Sequence, residues 1–352
     1  MHPAPDPYVA LALQPAFQGV QHRDQIMDNI KSVSLLIDVA LWMSETELPV
    51  RLIAIPEGTL QGFSDEVFDM PHSAYVESIA IEIPGKETDE LGKKARQYKA
   101  YIIAQARGTD KRFPGYYFNW AFIIDPDGNL IHKAAKHQVY YKEPSTTPHD
   151  VYDRWVEVFG NTLEAFFPVA DTPIGRIGTL VCYEGSFPET ARALAVNGAE
   201  IIYRCSYAEP WVGRGVWELQ NRARALDNTC YVVAPNIGPY YVAPDALAPV
   251  DVTGGNSLVI DYKGQIIGHH APTTNSWTSG VIDIRALRDF RRNALLGNWL
   301  KELKTEVYRL IYEKPIYPKN FYLESPQKNH SDRCKRYQES TKEMIRKGIW
   351  SE

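Results

Sequence analysis

Cysteine is scarce in this sequence, and the four cysteines form no pattern. They stand at positions 182, 205, 230 and 334 of 352 residues, and no two are spaced as a CxxC pair. Disulfide frameworks and structural zinc sites need closely spaced cysteines, so the sequence argues against both. The adjacent His269 and His270 would point to opposite faces of a strand, which disfavours a shared metal. We expect reduced thiols, no metal and no cofactor.

Long apolar runs and a basic excess are also lacking. No stretch approaches the roughly 18 to 20 apolar residues of a membrane-spanning helix, and residues 1–7 do not resemble a secretory signal. The formal net charge is −5, which gives nucleic acids and anionic membranes no attraction. We predict a cytoplasmic protein that acts on a small neutral molecule.

What the sequence does contain is an alternation of two patterns. Short apolar runs rich in Val, Ile and aromatic residues predict buried strands, and the segments between them have helical periodicity. The predicted strands are 8–13, 52–55, 101–105, 120–124, 177–182, 201–204, 231–234 and 257–260; the predicted helices are 24–45, 88–98, 189–197 and 215–228. Alternating strands and helices indicate an α/β fold.

Turn residues and charge divide the chain further. The turns at 125–128 and 261–264, Asp-Pro-Asp-Gly and Asp-Tyr-Lys-Gly, predict two hairpins. We assign residues 1–290 to one catalytic domain and 291–352 to a C-terminal tail. Residues 301–352 carry 12 Lys and Arg against 8 Asp and Glu. The tail is therefore either a solvated extension or a segment that packs on an acidic body, its own or that of a neighbouring subunit.

Three segments hold residues suited to hydrolytic chemistry. Cys182 ends an apolar run and precedes a helical pattern, so it is either a nucleophile raised above the sheet edge or a buried strand cysteine. Glu57 follows a strand and a proline, where a desolvated carboxylate can accept a proton. Lys136 follows the first hairpin and could stabilise an oxyanion, with Glu143 seven residues later to hold it.

Together these segments resemble the nitrilase, or carbon–nitrogen hydrolase, superfamily. The resemblance rests on Ile55-Pro-Glu57, on Asp125-Pro-Asp-Gly followed after seven residues by Lys136, and on Cys182-Tyr-x3-Phe-Pro-Glu189, in the order typical of that family. Supporting matches are Gln14, Asn119 and the segments 198–202 and 222–228. The resemblance covers roughly residues 8–285. It implies a four-layer α-β-β-α sandwich with a C-terminal extension.

The resemblance also implies roles for individual residues. Glu57 is expected to be the general base, Lys136 the electrostatic stabiliser, Cys182 the nucleophile and Glu143 the second glutamate. Lys133 competes with Lys136, but Lys136 stands at the family's usual offset from the turn glycine.

Within the superfamily the chain is most similar to aliphatic amidases and formamidases, which implies hydrolysis of a small linear carboxamide through a thioester. N-carbamoyl amide hydrolysis and nitrile hydrolysis remain alternatives, and acyl transfer is disfavoured. Tyr183, Tyr207 and Trp211 are predicted to bind substrate, while Tyr240 and Tyr241 either line the pocket or pack in the core. A homo-oligomer is expected, with the tail on a neighbouring subunit.

Hydrolases of other classes fit less well. A papain-like enzyme needs a histidine paired with Cys182, and none of the nine histidines stands in such a context. A serine hydrolase is disfavoured because no Gly-x-Ser-x-Gly elbow occurs.

Overall fold

A computed structural model describes residues 2–207 and 214–352. Two large β-sheets and one two-stranded pair form its framework. The strands are β1 (Tyr8–Gln14), β2 (Phe17–Gln18), β3 (Val50–Ala54), β4 (Ile81–Glu82), β5 (Tyr101–Thr109), β6 (Tyr117–Ile124), β7 (Leu130–Ala135), β8 (Val169–Thr172), β9 (Gly175–Val181), β10 (Ile201–Cys205), β11 (Tyr231–Ala234), β12 (Tyr240–Tyr241), β13 (Ser257–Ile260), β14 (Ile266–His270) and β15 (Ser276–Ile282).

Helices connect these strands and extend beyond the last of them. The α-helices are α1 (Ile26–Ser44), α2 (Ser64–Val67), α3 (His72–Ser78), α4 (Lys86–Tyr98), α5 (Tyr152–Phe159), α6 (Leu163–Phe166), α7 (Pro188–Val196), α8 (Val216–Asn228), α9 (Ile284–Asn293), α10 (Thr305–Tyr308) and α11 (His330–Arg346). Short 3-10 helices include Cys182–Ser186, directly after β9.

The first sheet has the order β15-β1-β3-β5-β6-β7, with β4 added beside β5. Strands β1, β3 and β5 are parallel, while β6 and β7 return antiparallel through the predicted first hairpin. Two reversals give β7 the same direction as β3 and β5. The residues that follow β3 and β7 therefore emerge at the same edge of this sheet.

The second sheet has the order β14-β13-β11-β10-β9-β8. Its central strands β9, β10 and β11 are parallel, and β13 and β14 form the second predicted hairpin. The predicted strands 231–234 and 257–260 agree with β11 and β13 at both ends.

Side-chain alternation along the strands divides the core into three layers. In β1, Leu11 and Leu13 face α1 and α4, whereas Ala10 and Ala12 face the second sheet. In β10, Ile202 faces α7 and α8 while its neighbours face the first sheet. Because successive strand residues point to opposite faces, each sheet is covered on one side by helices and on the other by its partner sheet. The predicted α/β class and four-layer α-β-β-α sandwich are thus present in the structure.

The tail folds back on the chain's own catalytic body over part of its length. The Asn320 amide donates to the His149 carbonyl at 3.0 Å, and the Tyr322 amide donates to the Asp150 carbonyl at 3.0 Å. Apolar side chains nearer the start of the tail, including Leu295 and Ile311, are exposed. Packing of the tail on a neighbouring subunit stays a prediction.

Packing between the sheets generates the first testable prediction. Ile201 is fully buried among residues of both sheets, so Ile201→Ala should lower the free energy of unfolding by about 2 to 5 kcal/mol. Urea unfolding followed by circular dichroism measures the change. The control Ile267→Ala removes the same atoms from an exposed position on β14 and should cost less than about 1 kcal/mol. Equal costs would contradict the described sheet-to-sheet packing.

Candidate active site

The candidate site lies where strands of both sheets end. Glu57 follows β3 after two residues, Lys136 follows β7 directly, and Cys182 follows β9 directly. The loop after Lys136 returns Glu143 to the same place. Glu57 and Cys182 were predicted from strand ends, and Lys136 from its place after the first hairpin. The parallel course of β3 and β7 brings Glu57 and Lys136 together.

Lys136 is buried and lies between two carboxylates. Its Nζ is 3.0 Å from Glu57 Oε1 and 2.5 Å from Glu143 Oε2. The competing residue Lys133 points elsewhere, with its Nζ 3.3 Å from Asp110 Oδ2. The structure therefore places Lys136, and not Lys133, against both predicted glutamates.

A neutral amide joins the two carboxylates. Asn119 Nδ2 donates to Glu57 Oε1 and to Glu143 Oε1, each at 2.9 Å. Gln105 Nε2 in turn donates to Asn119 Oδ1 at 2.6 Å. Glu57, Asn119, Lys136 and Glu143 are here called the lysine cluster, and all four are buried. Asn119 lies in a strand of the first sheet, Glu57 and Lys136 follow strands of it, and Glu143 lies in the loop after Lys136.

Electrostatics keep the lysine charged in this buried place. Burial alone would lower the pKa of Lys136, but Glu143 and Glu57 outweigh burial and raise its pKa well above the ordinary value. Burial would likewise raise the pKa of Glu143, yet the charges of Lys136 and Arg107 hold it below its usual range. Cys182 also interacts electrostatically with Lys136. The charged Lys136 is thus near enough to the sulfur to interact with it electrostatically.

Cys182 occupies a sharp turn between β9 and the following 3-10 helix. Its φ angle is +52°, in the left-handed region that costs a non-glycine residue about 1 kcal/mol or more. Strained strand-to-helix turns of this kind present nucleophiles above a sheet edge. The side chain is partly exposed, in contrast to the buried Cys205 and Cys230. The alternative of a buried strand cysteine does not describe Cys182.

Glu184 ties the cysteine turn to the lysine loop. One of its carboxylate oxygens accepts from the Val181 amide and the other from the His137 amide, both at 2.7 Å. Val181 directly precedes Cys182, and His137 directly follows Lys136. One buried carboxyl group therefore sets the spacing between the two segments.

Phe63, Tyr140 and Tyr207 form an aromatic cluster, and the backbone of Tyr207 lies beside the cysteine. The rings of Phe63 and Tyr207 stack, and the hydroxyls of Tyr140 and Tyr207 are 3.2 Å apart. The Tyr207 carbonyl oxygen lies 4.0 Å from Cys182 Sγ, and its hydroxyl donates to Glu66 at 2.5 Å. Burial raises the pKa of Glu66 to about 8, although the nearby Arg107 opposes this. Tyr207 thus contacts the cysteine through its backbone and Glu66 through its hydroxyl.

The other predicted substrate-binding residues have different surroundings. Tyr183 is half-buried and lines a cavity of about 950 Å³ between the cysteine turn and α11. Trp211 lies outside the described residues. Tyr240 packs on Phe17, with ring centroids 5.1 Å apart, which is the core alternative, whereas Tyr241 is half-buried.

Sequence reasoning missed several polar residues of the site. Gln105 ends the predicted strand 101–105, and Arg107 lies just beyond it in the longer observed strand β5. Polar residues in a buried strand were the available signal. Ser145 gave no signal, yet its hydroxyl donates to Glu143 Oε1 at 2.6 Å. Asn119 was noted only as a supporting match, and the structure places it at the centre of the lysine cluster.

Comparison with known proteins decides the family. The family model described as carbon–nitrogen hydrolase matches residues 19–292. The chain belongs to this family. It is a hydrolase of carbon–nitrogen bonds of the amide type, as the sequence predicted.

Proteins similar to this chain are known from several organisms. The chain is 26% identical to the mouse omega-amidase NIT2 over 292 residues, which are 82% of this chain and 96% of that protein. It is 26% identical to a deaminated glutathione amidase of Synechocystis over 271 residues, 74% and 86% of the two chains. A carbon–nitrogen hydrolase structure from Helicobacter pylori superposes with a TM-score of 0.67 at 20% identity and covers 88% and 99% of the chains. At 20% identity, this last match shows similarity of the fold alone.

The surroundings of the four cysteines predict selective alkylation of the hydrolase. Cys182 is partly exposed and interacts electrostatically with the charged Lys136, and a nearby cation favours a thiolate. Burial raises the pKa of Cys205 well above its ordinary value and that of Cys230 to about 11. Iodoacetamide at neutral pH should therefore modify Cys182 first, as peptide mass spectrometry can follow over time. Faster labelling of Cys205 or Cys334 would contradict the assignment.

The raised pKa of Glu184 predicts a pH-dependent contribution to the free energy of unfolding. Burial raises its pKa from 4.5 to about 7, against the opposing amides of His137 and Val181. Since the folded state binds this proton more tightly than the unfolded state, the contribution is complete below about pH 4.5 and is lost as the pH rises through about 7. Glu184→Gln should remove this slope from urea-unfolding free energies measured between pH 5 and 8.

The same variant should be less stable than the wild type at the acid end of this range, where the wild-type carboxyl group is protonated in the folded state. Its amide NH2 would face one of the two backbone N–H donors, at a cost of about 1 to 3 kcal/mol. The matched control is Glu157→Gln on the exposed face of α5, which should keep the wild-type slope. A wild-type slope in Glu184→Gln would count against the described role of this carboxyl group.

Proposed function

We propose that the protein is a cysteine-dependent amidohydrolase that converts a small linear carboxamide to a carboxylate and ammonia through a thioester. One observation carries the proposal. Glu57 Oε1 is held by Lys136 and Asn119, while Glu57 Oε2 is buried and has no hydrogen-bond partner among the described residues. A buried carboxylate oxygen directed at no protein donor is suited to exchange a proton with a thiol and a substrate.

Charge balance in the lysine cluster supports this role for Glu57. Lys136 and Glu143 form a compensated pair at 2.5 Å, which leaves the Glu57 carboxyl group to take up and return a proton. In the first step Glu57 accepts the proton of the Cys182 thiol as the sulfur attacks the carbonyl carbon. The carbonyl double bond becomes an oxyanion, which the charge of Lys136 stabilises.

Collapse of the tetrahedral species then breaks the carbon–nitrogen bond. The proton held by Glu57 passes to the leaving nitrogen, and ammonia departs from a thioester of Cys182. A water molecule gives a proton to Glu57 and attacks the thioester carbon. Collapse of that second adduct breaks the carbon–sulfur bond, and the proton returns to the sulfur, so that one carboxyl group acts alternately as base and acid.

A small acyl group suits the walls of the site. The Tyr207 carbonyl lies 4.0 Å from the sulfur, and the rings of Phe63 and Tyr207 are stacked and buried. The two similar enzymes reported above carry amidase names, which supports a carboxamide over a nitrile or an N-carbamoyl compound. Oligomerisation and a cytoplasmic location belong to the same proposal and follow from the family resemblance.

Substitution of the nucleophile and the base tests the mechanism. Cys182→Ala should abolish ammonia release because no thioester can form, and Glu57→Gln should lower kcat by about 10²- to 10⁴-fold because the proton acceptor is lost. Cys334→Ala, a partly buried cysteine on α11, is the matched control and should retain wild-type activity. Circular dichroism confirms folding. Turnover by folded Cys182→Ala at the wild-type rate would overturn the proposal.

A substrate panel separates the carboxamide from its alternatives. Ammonia release is measured with formamide, acetamide, longer aliphatic amides, N-carbamoyl amino acids and simple nitriles. We expect the highest kcat/KM with an amide of the series. A preference for a nitrile or for an N-carbamoyl compound would replace the proposed substrate class while leaving the thioester chemistry in place.

A further inference from the structure

The tail helix α11 contacts the loop that carries the second glutamate. Its residue Arg333 is 3% exposed, which is unusual for arginine. Arg333 Nη2 donates to Asp150 Oδ2 at 3.2 Å and to the Ser145 carbonyl at 3.4 Å, and its Nε donates to Gln327 at 2.8 Å. A charged group from the tail is thus buried against residues 145–150.

Residues 145–150 connect directly to the lysine cluster. The Ser145 hydroxyl donates to Glu143 Oε1 at 2.6 Å, and Glu143 Oε2 accepts from Lys136 at 2.5 Å. Asp150 Oδ2, which accepts from Arg333, also accepts from the Thr147 amide at 2.9 Å. The arginine therefore holds one residue that touches Glu143 and one that closes the turn behind it.

A second tail contact lies on the other side of Glu143. The Tyr337 hydroxyl, one helical turn after Arg333, donates to the Val139 carbonyl. Val139 lies between Lys136 and Glu143 in the chain. The loop that carries Lys136 and Glu143 is therefore hydrogen-bonded to α11 both before and after Glu143.

The body of the enzyme supports the same loop independently. The Thr146 amide donates to the Tyr117 carbonyl at 3.0 Å, and His72 Nδ1 lies 3.1 Å from the Pro144 carbonyl. Loss of the tail contacts should therefore shift Glu143 without unfolding the sandwich. Small displacements of catalytic groups by distant substitutions can cost up to about 100-fold in rate.

We propose that Arg333 is a positioning residue for Glu143, so that the C-terminal tail helix orders the active site of its own chain. The inference rests on the proposed function, in which Glu143 holds Lys136 for oxyanion stabilisation. Because this interaction acts on the transition state, its loss lowers kcat more than it changes KM. Loss of a tail that only stabilised the fold would not lower kcat more than it changes KM.

The test uses the full chain and the most rapidly hydrolysed amide of the panel. Arg333→Ala combined with Asp150→Asn removes both charges, so no buried carboxylate is left unpaired. We expect kcat to fall at least about tenfold and KM to change less than about threefold. Arg346→Ala, an exposed arginine near the end of the same helix, should match the wild type. A kcat within twofold of wild type in the folded double variant overturns the inference.

Arg333→Lys is the conservative variant, and it carries the test if the double variant does not fold. Lysine keeps a charge opposite Asp150 but lacks the second donor nitrogen that reaches Gln327, so kcat should fall to an intermediate value. Its combination with Ser145→Ala should cost less than the product of the two single effects, because both act through Glu143. Unchanged kcat in Arg333→Lys, or multiplicative effects in the combination, contradicts the inference.

Glu143→Gln measured in parallel separates this inference from the proposed function. A large loss of kcat in Glu143→Gln with wild-type kcat in the Arg333 variants overturns the positioning role alone. Wild-type kcat in Glu143→Gln overturns the role of Glu143 in catalysis and the inference that depends on it.

Discussion

The buried ammonium group of Lys136 is the constraint on which the site depends. A lysine removed from water loses its charge unless carboxylates compensate it, and Glu57 and Glu143 do so at 3.0 and 2.5 Å. Removing one partner of a buried pair typically costs about 3 to 5 kcal/mol, because the other charge is left uncompensated. The surrounding structure must therefore hold three charged side chains from separate segments in fixed places. Rigid strand ends, together with the amide of Asn119, meet this requirement.

The two sheets contribute different parts of the chemistry. The first sheet supplies the residues that carry charge, Glu57 after β3 and Lys136 after β7. The second sheet supplies Cys182, the proposed nucleophile, at the end of β9 with a left-handed backbone. Glu184 accepts backbone donors from both parts and so fixes one relative to the other. Neither sheet alone would form the site, which explains why the four-layer arrangement and the chemistry belong together.

Buried polar groups in this region are satisfied by one another to a large extent. Gln105, Asn119 and Ser145 are neutral, yet each directs a donor at the lysine cluster or at a member of it. Neutral donors lower the cost of burying carboxylates without adding charge. Glu57 Oε2 is the exception within the cluster among the described residues. This oxygen, which lacks a donor among the described residues, is the one proposed to exchange a proton with the thiol and the substrate.

The sequence by itself predicted many of the strands and helices and pointed to Glu57, Lys136, Glu143 and Cys182. Short runs of Val and Ile defined strands such as β11 and β13, because burial between layers requires continuous apolar side chains. Strand β15 was missed because its mixed, half-exposed sequence lacks that pattern. Tertiary structure alone decided the roles of Asn119 and Ser145, since neutral polar residues look alike in sequence. Their function depends on which side chains lie opposite them, and only strand register and loop packing set that.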